Sequence, residues 1–170
     1  MSIVKKILFK LLILIIFSFN FVQAEDFKKL GKFKDWEAAM FFGDSGKVCI
    51  AQSRPVLQSP KKGDREAALT ISFRPEEKIL DEVSITSGYE YNSQNSIIAT
   101  SGKSKYKFDI AQDNFAFISS NKIEKKIIKR MKKSSRIMVS AYNQSGSQTI
   151  DHYSLMGFTK AYNAAKKSCT

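Results

Sequence analysis

The chain has 170 residues, 43% of them hydrophobic, with 28 Lys and Arg against 16 Asp and Glu and a formal net charge of +12. That length suits one domain with a real core, and so basic a chain points to an anionic partner. Two cysteines without a nearby His or a second pair cannot fill a tetrahedral zinc site, so neither a metal nor another cofactor is expected.

The first segment reads as an export signal. Lys5, Lys6 and Lys10 form a basic leader, Leu11 to Phe17 is an unbroken apolar core, and Val22-Gln23-Ala24 is a small-residue cleavage site. An uncleaved anchor is the competing reading, but Ser18 and Asn20 interrupt an apolar stretch already short of the about 20 residues a span needs. The expected mature chain is a single domain over residues 25–170. No Cys follows the cleavage site to carry a lipid. The leader holds three of the 28 basic residues and none of the 16 acidic ones, which leaves +9 on the rest. Export argues against nucleic acid, the usual partner of a basic domain. It favours anionic lipid, polysaccharide or an acidic envelope protein.

Beyond the leader, aromatic and apolar residues alternate from Trp36 to Phe42, and Gly43-Asp44-Ser45-Gly46 turns the chain into a second strand over residues 47–53. Pro55, Pro60 and Lys61-Lys62-Gly63 mark a polar loop. Leu69, Ile71 and Phe73 alternate with Ala68, Thr70 and Ser72, which predicts a strand with one face in the core and one in solvent, ended by Arg74-Pro75. Further strands are predicted over 83–89, 97–100, 106–110 and 115–119, with Tyr106, Phe108 and Ile110 on one face of the third. Trp36 and most of the Phe side chains fall where a core would put them.

A helix is predicted over residues 122–133, with Asn121 as N-cap and Glu124 three positions on in a variant of the capping box. Strands over 137–142 and 148–153 surround a turn at 143–146. A last helix is expected after Ser154 as N-cap, with Leu155, Phe158, Tyr162, Ala165 and Cys169 on one face. That face turns Cys169 inward, within reach of Cys49 on the second strand. An even cysteine count in an oxidising compartment favours a Cys49–Cys169 disulfide over free thiols. The expected fold is mainly β, an antiparallel sandwich or barrel with two helices, the C-terminal one stapled to the sheet by that disulfide.

Catalytic and nucleotide motifs are weak. Gly43-Asp44-Ser45-Gly46 has the look of a serine-protease nucleophile loop but fits a hairpin turn. His152, beside Asp151 in a predicted strand, would need a serine brought to it by the fold, and a structural or surface histidine is the simpler reading. Gly102-Lys103-Ser104 resembles the end of a phosphate loop, yet Ile97 stands where the first glycine belongs and a strand follows instead of a helix, so no nucleotide is expected. Asp109 and Asp113 lack the dense acidic spacing of a calcium loop.

The first helix carries the most distinctive chemistry. Lys122, Lys125, Lys126, Lys129, Arg130, Lys132 and Lys133 occupy a sector of about 160°, with Ile123, Ile127, Ile128 and Met131 opposite. Glu124 is the one internal counter-charge. Like charges four apart repel by about 0.2–0.5 kcal/mol per pair, which an external anion would relieve. The plain reading is a solvated face on a helix docked by its isoleucines. The chemical reading is an anion-binding surface for lipid or polysaccharide.

Asp35-Trp36, Val48-Cys49 followed by Pro55, Arg74-Pro75, Val83, Gly88-Tyr89, Met131-Lys132 and above all Asp151-x-Tyr153-Ser154-Leu155-x-Gly157-Phe158-x-x-Ala161, closing on Cys169, carry a further signal. In these positions the chain resembles the invasion-associated locus B family of exported bacterial proteins. The resemblance implies a small periplasmic or outer-membrane-associated protein, with no enzymatic activity established for the family. Many members look to have a further Cys soon after the Asp-Trp and a close Cys pair before the first helix. This chain has Met40 in the former region and no Cys between 50 and 168, which leaves one bridge. The expectation is therefore an exported, non-enzymatic, envelope-associated binding or structural protein, periplasmic, outer-membrane-associated or secreted. The alternative is a periplasmic hydrolase of envelope polymers using Asp151, His152 and a serine.

Overall fold

A computed structural model describes residues 27–61 and 65–170. The expected leader and its cleavage site lie outside these residues. The described chain forms β1 (Lys28–Phe33), β2 (Trp36–Gly43), β3 (Gly46–Ser53), β4 (Leu57–Ser59), β5 (Ala67–Arg74), β6 (Ile79–Ser87), β7 (Ile97–Ser101), β8 (Ser104–Phe108), β9 (Ile110–Gln112), β10 (Phe115–Phe117), α1 (Asn121–Met131), β11 (Arg136–Tyr142), β12 (Gln148–Ser154) and α2 (Phe158–Cys169). The strands make two sheets, ordered β1-β2-β3-β5-β6-β10-β9 and β4-β12-β11-β7-β8. Neighbouring strands pair antiparallel, and one continuous core joins both sheets and both helices.

The opening hairpin follows from its pattern. Gly43 pairs with Gly46 across Asp44-Ser45, so the expected turn is the observed one. Ala38 on β2 pairs with Ala51 on β3, and both are buried together with Trp36 and Cys49 of the same two strands. On β5 the expected half-wet alternation fails: Ala68 and Ser72 are buried along with Leu69, Ile71 and Phe73. Ser72 lies under the Arg74–Glu82 pair, to which it contributes its hydroxyl. Long charged side chains on a central strand's outer face cover small neighbours in this way.

The predicted strand over 106–110 is also divided. β8 ends at Phe108, and the chain crosses to the other sheet at Asp109, whose carboxylate accepts from the Ser119 amide at 2.9 Å and from the Ser119 hydroxyl. These bonds hold the Asp109 carboxyl below its usual range. Ile110 therefore lies on the seven-stranded sheet and is exposed, and Phe42 and Phe115 are exposed as well, outside the core that takes Phe73, Phe108 and Phe158. β1 and the three-residue β4 are strands that no run of alternating apolar residues announces.

Helix α2 lies on β1, β2, β3 and β5. Its buried face is Phe158, Ala161, Tyr162, Ala165 and Cys169, as the three- and four-residue spacing predicts. Its cap differs from expectation. Ser154 closes β12, where its hydroxyl accepts the Met156 amide at 3.2 Å, and the N-cap is Gly157 at φ 93°. A Cβ at Gly157 would stand 1.7 Å from the Phe33 carbonyl oxygen, so the position requires glycine for both its backbone angle and its space. Phe158 packs edge-on against Trp36 with ring centroids 4.8 Å apart, and the Trp36 indole donates to the Ser154 carbonyl at 2.8 Å. The Cys49–Cys169 disulfide, with Cα atoms 5.9 Å apart, ties the far end of α2 to β3.

Candidate functional site

Helix α1 sits beside β6 with Ile127, Ile128 and Met131 buried. Its start corrects the predicted capping box. Ser120 is the N-cap, its hydroxyl makes no capping bond, and Asn121 is the first helical residue. Glu124 does not act as a cap. It is 5% exposed, and its Oε1 accepts the backbone amide of Val83 at 2.9 Å. β10 reaches β6 only from Ser84 to Thr86, so the Val83 amide lies past the last strand partner and the carboxylate completes the edge. Burial raises the Glu124 pKa, with the Val83 bond working against it and Glu82 and Asp81 adding to the rise.

That shift has a pH consequence. Above the ordinary value of 4.5 and up to the raised one, the folded protein holds a proton that the unfolded chain releases, so this group's contribution to stability falls as pH rises through the window. Glu124→Gln keeps an acceptor for Val83 and is expected to flatten the fall of the thermal midpoint that sets in as pH rises above 4.5. Glu124→Ala strands the amide and is expected to cost about 1–3 kcal/mol. An unaltered pH profile in Glu124→Gln would remove this role.

The seven expected anion-binding residues do not behave as one set. Lys122, Lys125, Lys126 and Lys129 are exposed along the solvent side of α1, and Lys133 is exposed in the turn just past its C-cap, Lys132. None of the five comes within salt-bridge distance of a carboxylate among the described residues. Arg130 instead donates Nε to the Ser101 carbonyl at 3.2 Å and lies over Gly102, clamping the helix to the β7–β8 turn. Lys132 places its ammonium 3.7 Å from the ring centre of Tyr162 on α2. Burial there holds its pKa below the usual value, with Asp81 opposing the shift and Lys166 adding to it. Two of the seven thus contact groups of the protein itself, and the other five have no carboxylate within 4.0 Å among the described residues.

Asp151 and His152 do not form a catalytic pair. They are consecutive on β12, so their side chains point to opposite faces. His152 is partly exposed between Met138 and Leu57 on the neighbouring strands. Asp151 is 1% exposed and takes both terminal nitrogens of Arg65, which bridges to the Ser87 carbonyl at 2.8 Å and lies over the Tyr89 ring. Burial lowers the Arg65 pKa, but the hydrogen bond and charge of Asp151 outweigh it and leave the guanidinium above its usual value. Tyr91 donates to Ser87, Tyr89 pairs with Thr149, and burial raises the pKa values of Tyr89, Tyr91 and Tyr153, so the phenols stay neutral. Nothing in the local pattern marked Arg65, which follows a polar loop. Among the described residues no three His, Cys, Asp or Glu side chains gather to hold a metal, and no helix is long and apolar enough to cross a membrane.

The family model described as "Invasion associated locus B (IalB) protein" matches residues 36–166, from Trp36 on β2 into α2. The chain belongs to the IalB family. No curated protein matches it. Among solved structures, invasion associated protein B from Bartonella henselae shares the fold with a TM-score of 0.56 at 12% identity, over 81% of this chain and 96% of that one. The geometry gives the IalB-like motif a physical meaning. Asp151 anchors Arg65, Tyr153 fills the core, Ser154 receives the Trp36 indole, Gly157 clears the Phe33 carbonyl, and Phe158 and Ala161 pack α2 onto the opening hairpin. These residues join β12 and α2 to the opening hairpin and to Arg65.

Proposed function

We propose that this IalB-family protein is exported and works at the cell envelope by docking anionic surfaces through the outer face of α1. The observation that carries the proposal is the row of five cations without a carboxylate partner among the described residues, Lys122, Lys125, Lys126 and Lys129 on α1 and Lys133 in the turn that follows, with the helix fixed to the domain by its opposite face. The helix is held by Ile127, Ile128, Met131 and Glu124, so binding an anion costs it no folding. The disulfide supports an oxidising compartment.

The test replaces Lys126, Lys129 and Lys133 by Gln, leaving Lys132 on Tyr162 and Arg130 on Ser101. Each Lys near an anionic membrane contributes about 1 kcal/mol. Binding to phosphatidylglycerol vesicles at low salt should therefore weaken on the order of a hundredfold, while the thermal midpoint holds or rises as like-charge repulsion is removed. Parent binding should also fall steeply with salt, since exposed charges are screened within about 10 Å at 0.1 M. Equal binding by variant and parent would reduce the helix face to a solvated surface.

A further inference from the structure

Beside the N-terminal turn of α1 the surface opens into a groove of about 860 Å³, floored by β6, β9 and β10 and reached by Lys166 from α2. A bulge shapes it. Ser72 pairs with Glu82 and Arg74 with Ile79, so Leu80 and Asp81 together oppose the single Phe73, and Asp81 adopts a left-handed backbone at φ 69°. The extra residue turns the Asp81 carboxylate to the Tyr162 hydroxyl and leaves Leu80 pointing outward, 50% exposed. Leu80 joins Ile110, 46% exposed, and Phe117 along the groove. Isolated exposed apolar residues need no explanation, but three converging in one concave site are a binding feature.

The charges around the groove are not balanced by pairing. Its three acidic groups are already engaged: Asp81 by the Tyr162 hydroxyl, Glu82 by both terminal nitrogens of Arg74, and Glu124 by the Val83 amide. Its three basic groups, Lys78, Lys125 and Lys166, have no carboxylate within 4.0 Å among the described residues. Lys166 also lies 5.7 Å from the Tyr162 ring centre, a contact that leaves its charge unneutralised. An apolar trough with ammonium groups unpaired to carboxylates at its rim is complementary to a molecule with an apolar tail and an anionic head.

We propose that this groove binds one single-chain anionic amphiphile, its acyl chain along Leu80, Ile110 and Phe117 and its phosphate or carboxylate head at Lys78, Lys125 and Lys166. The inference deepens the docking reading, since it names a lipid component that the envelope surface would supply. It rests on side chains outside the Lys126, Lys129 and Lys133 set, so the two can fail separately.

The experiment titrates the full mature protein with dodecyl phosphate below its micellar concentration, with inorganic phosphate and dodecyl maltoside as comparison ligands. One equivalent of dodecyl phosphate should bind, at least about tenfold more tightly than either comparison ligand. The double variant Leu80→Glu, Ile110→Glu alters two exposed positions and should weaken that binding at least about tenfold with an unchanged thermal midpoint. A second variant, Lys125→Gln with Lys166→Gln, should lose selectivity for the phosphate head while retaining weak binding of the maltoside. Absence of saturable binding, equal binding of inorganic phosphate, or full binding by the Leu80 and Ile110 variant would each overturn the proposal. Vesicle binding that survives such a failure would leave the electrostatic docking face standing without the groove.

Discussion

Replacing Cys49 and Cys169 together by Ala is expected to lower the free energy of unfolding by about 2–5 kcal/mol. The bridge spans 120 residues, and a loop that long lies at the upper end of what a cross-link removes from the unfolded ensemble in the chain-entropy account. It also acts at a vulnerable place. α2 is the last element of the chain, and its C-terminal turn is held through Cys169 to β3. For a domain of this size the loss corresponds to a fall in thermal midpoint of roughly 4–20 °C. Denaturant unfolding of parent and variant, each with and without reductant, checks the result: the reductant should bring the parent down to the variant and leave the variant where it is. Coincident curves for oxidised parent and variant would show that the α2 packing alone holds the C-terminus.

Arg65→Met is expected to destabilise the fold by about 3–5 kcal/mol, because it leaves the Asp151 carboxylate buried without its counter-charge. Asp151→Leu should cost a similar amount for the converse reason, since Arg65 is mostly buried between Ser87 and Tyr89. The double variant should recover much of either loss. A buried ion pair replaced on both sides by apolar groups of similar volume is often neutral, and what is expensive is the orphaned charge. A double-mutant cycle by urea denaturation measures this coupling. Additive losses would mean that the two residues act independently and that the bidentate contact does not join β12 to the β5–β6 ladder.

The basic face and the groove depend on how these structural contacts divide the polar residues. Charge count alone treats the seven cations of α1 alike. In the fold, Arg130 reaches a backbone carbonyl and Lys132, though exposed, lies on a tyrosine ring, so each has a contact within the protein. The same sorting applies to the carboxylates. Glu124, Asp81 and Glu82 are held by protein donors, and Lys78, Lys125 and Lys166 have no carboxylate within 4.0 Å among the described residues.

Local pattern by itself determined the opening hairpin, the strands around the 143–146 turn, the buried face of α2, the isoleucine face of α1 and the two cysteines that pair. Each is set by a short-range periodicity, a turn residue or a count, and such signals act within one element. The family was legible for the same reason, since its closing motif is a contiguous run whose spacing survives in one stretch of chain. The tertiary structure decided what adjacency in sequence cannot. It set Asp151 on the buried face of β12 and His152 on the other, because consecutive strand residues diverge. It drew Glu124 from a helix cap to the edge of β6, because β10 ends one residue short of the Val83 amide and an unpaired buried donor must be met. It split the strand at Asp109 and exposed Ile110, and it assembled the groove from a strand bulge, two short strands and two helices far apart in the chain. Partners of that kind are chosen by packing and by the cost of unsatisfied polar groups, and both exist only once the sheets have closed over the core.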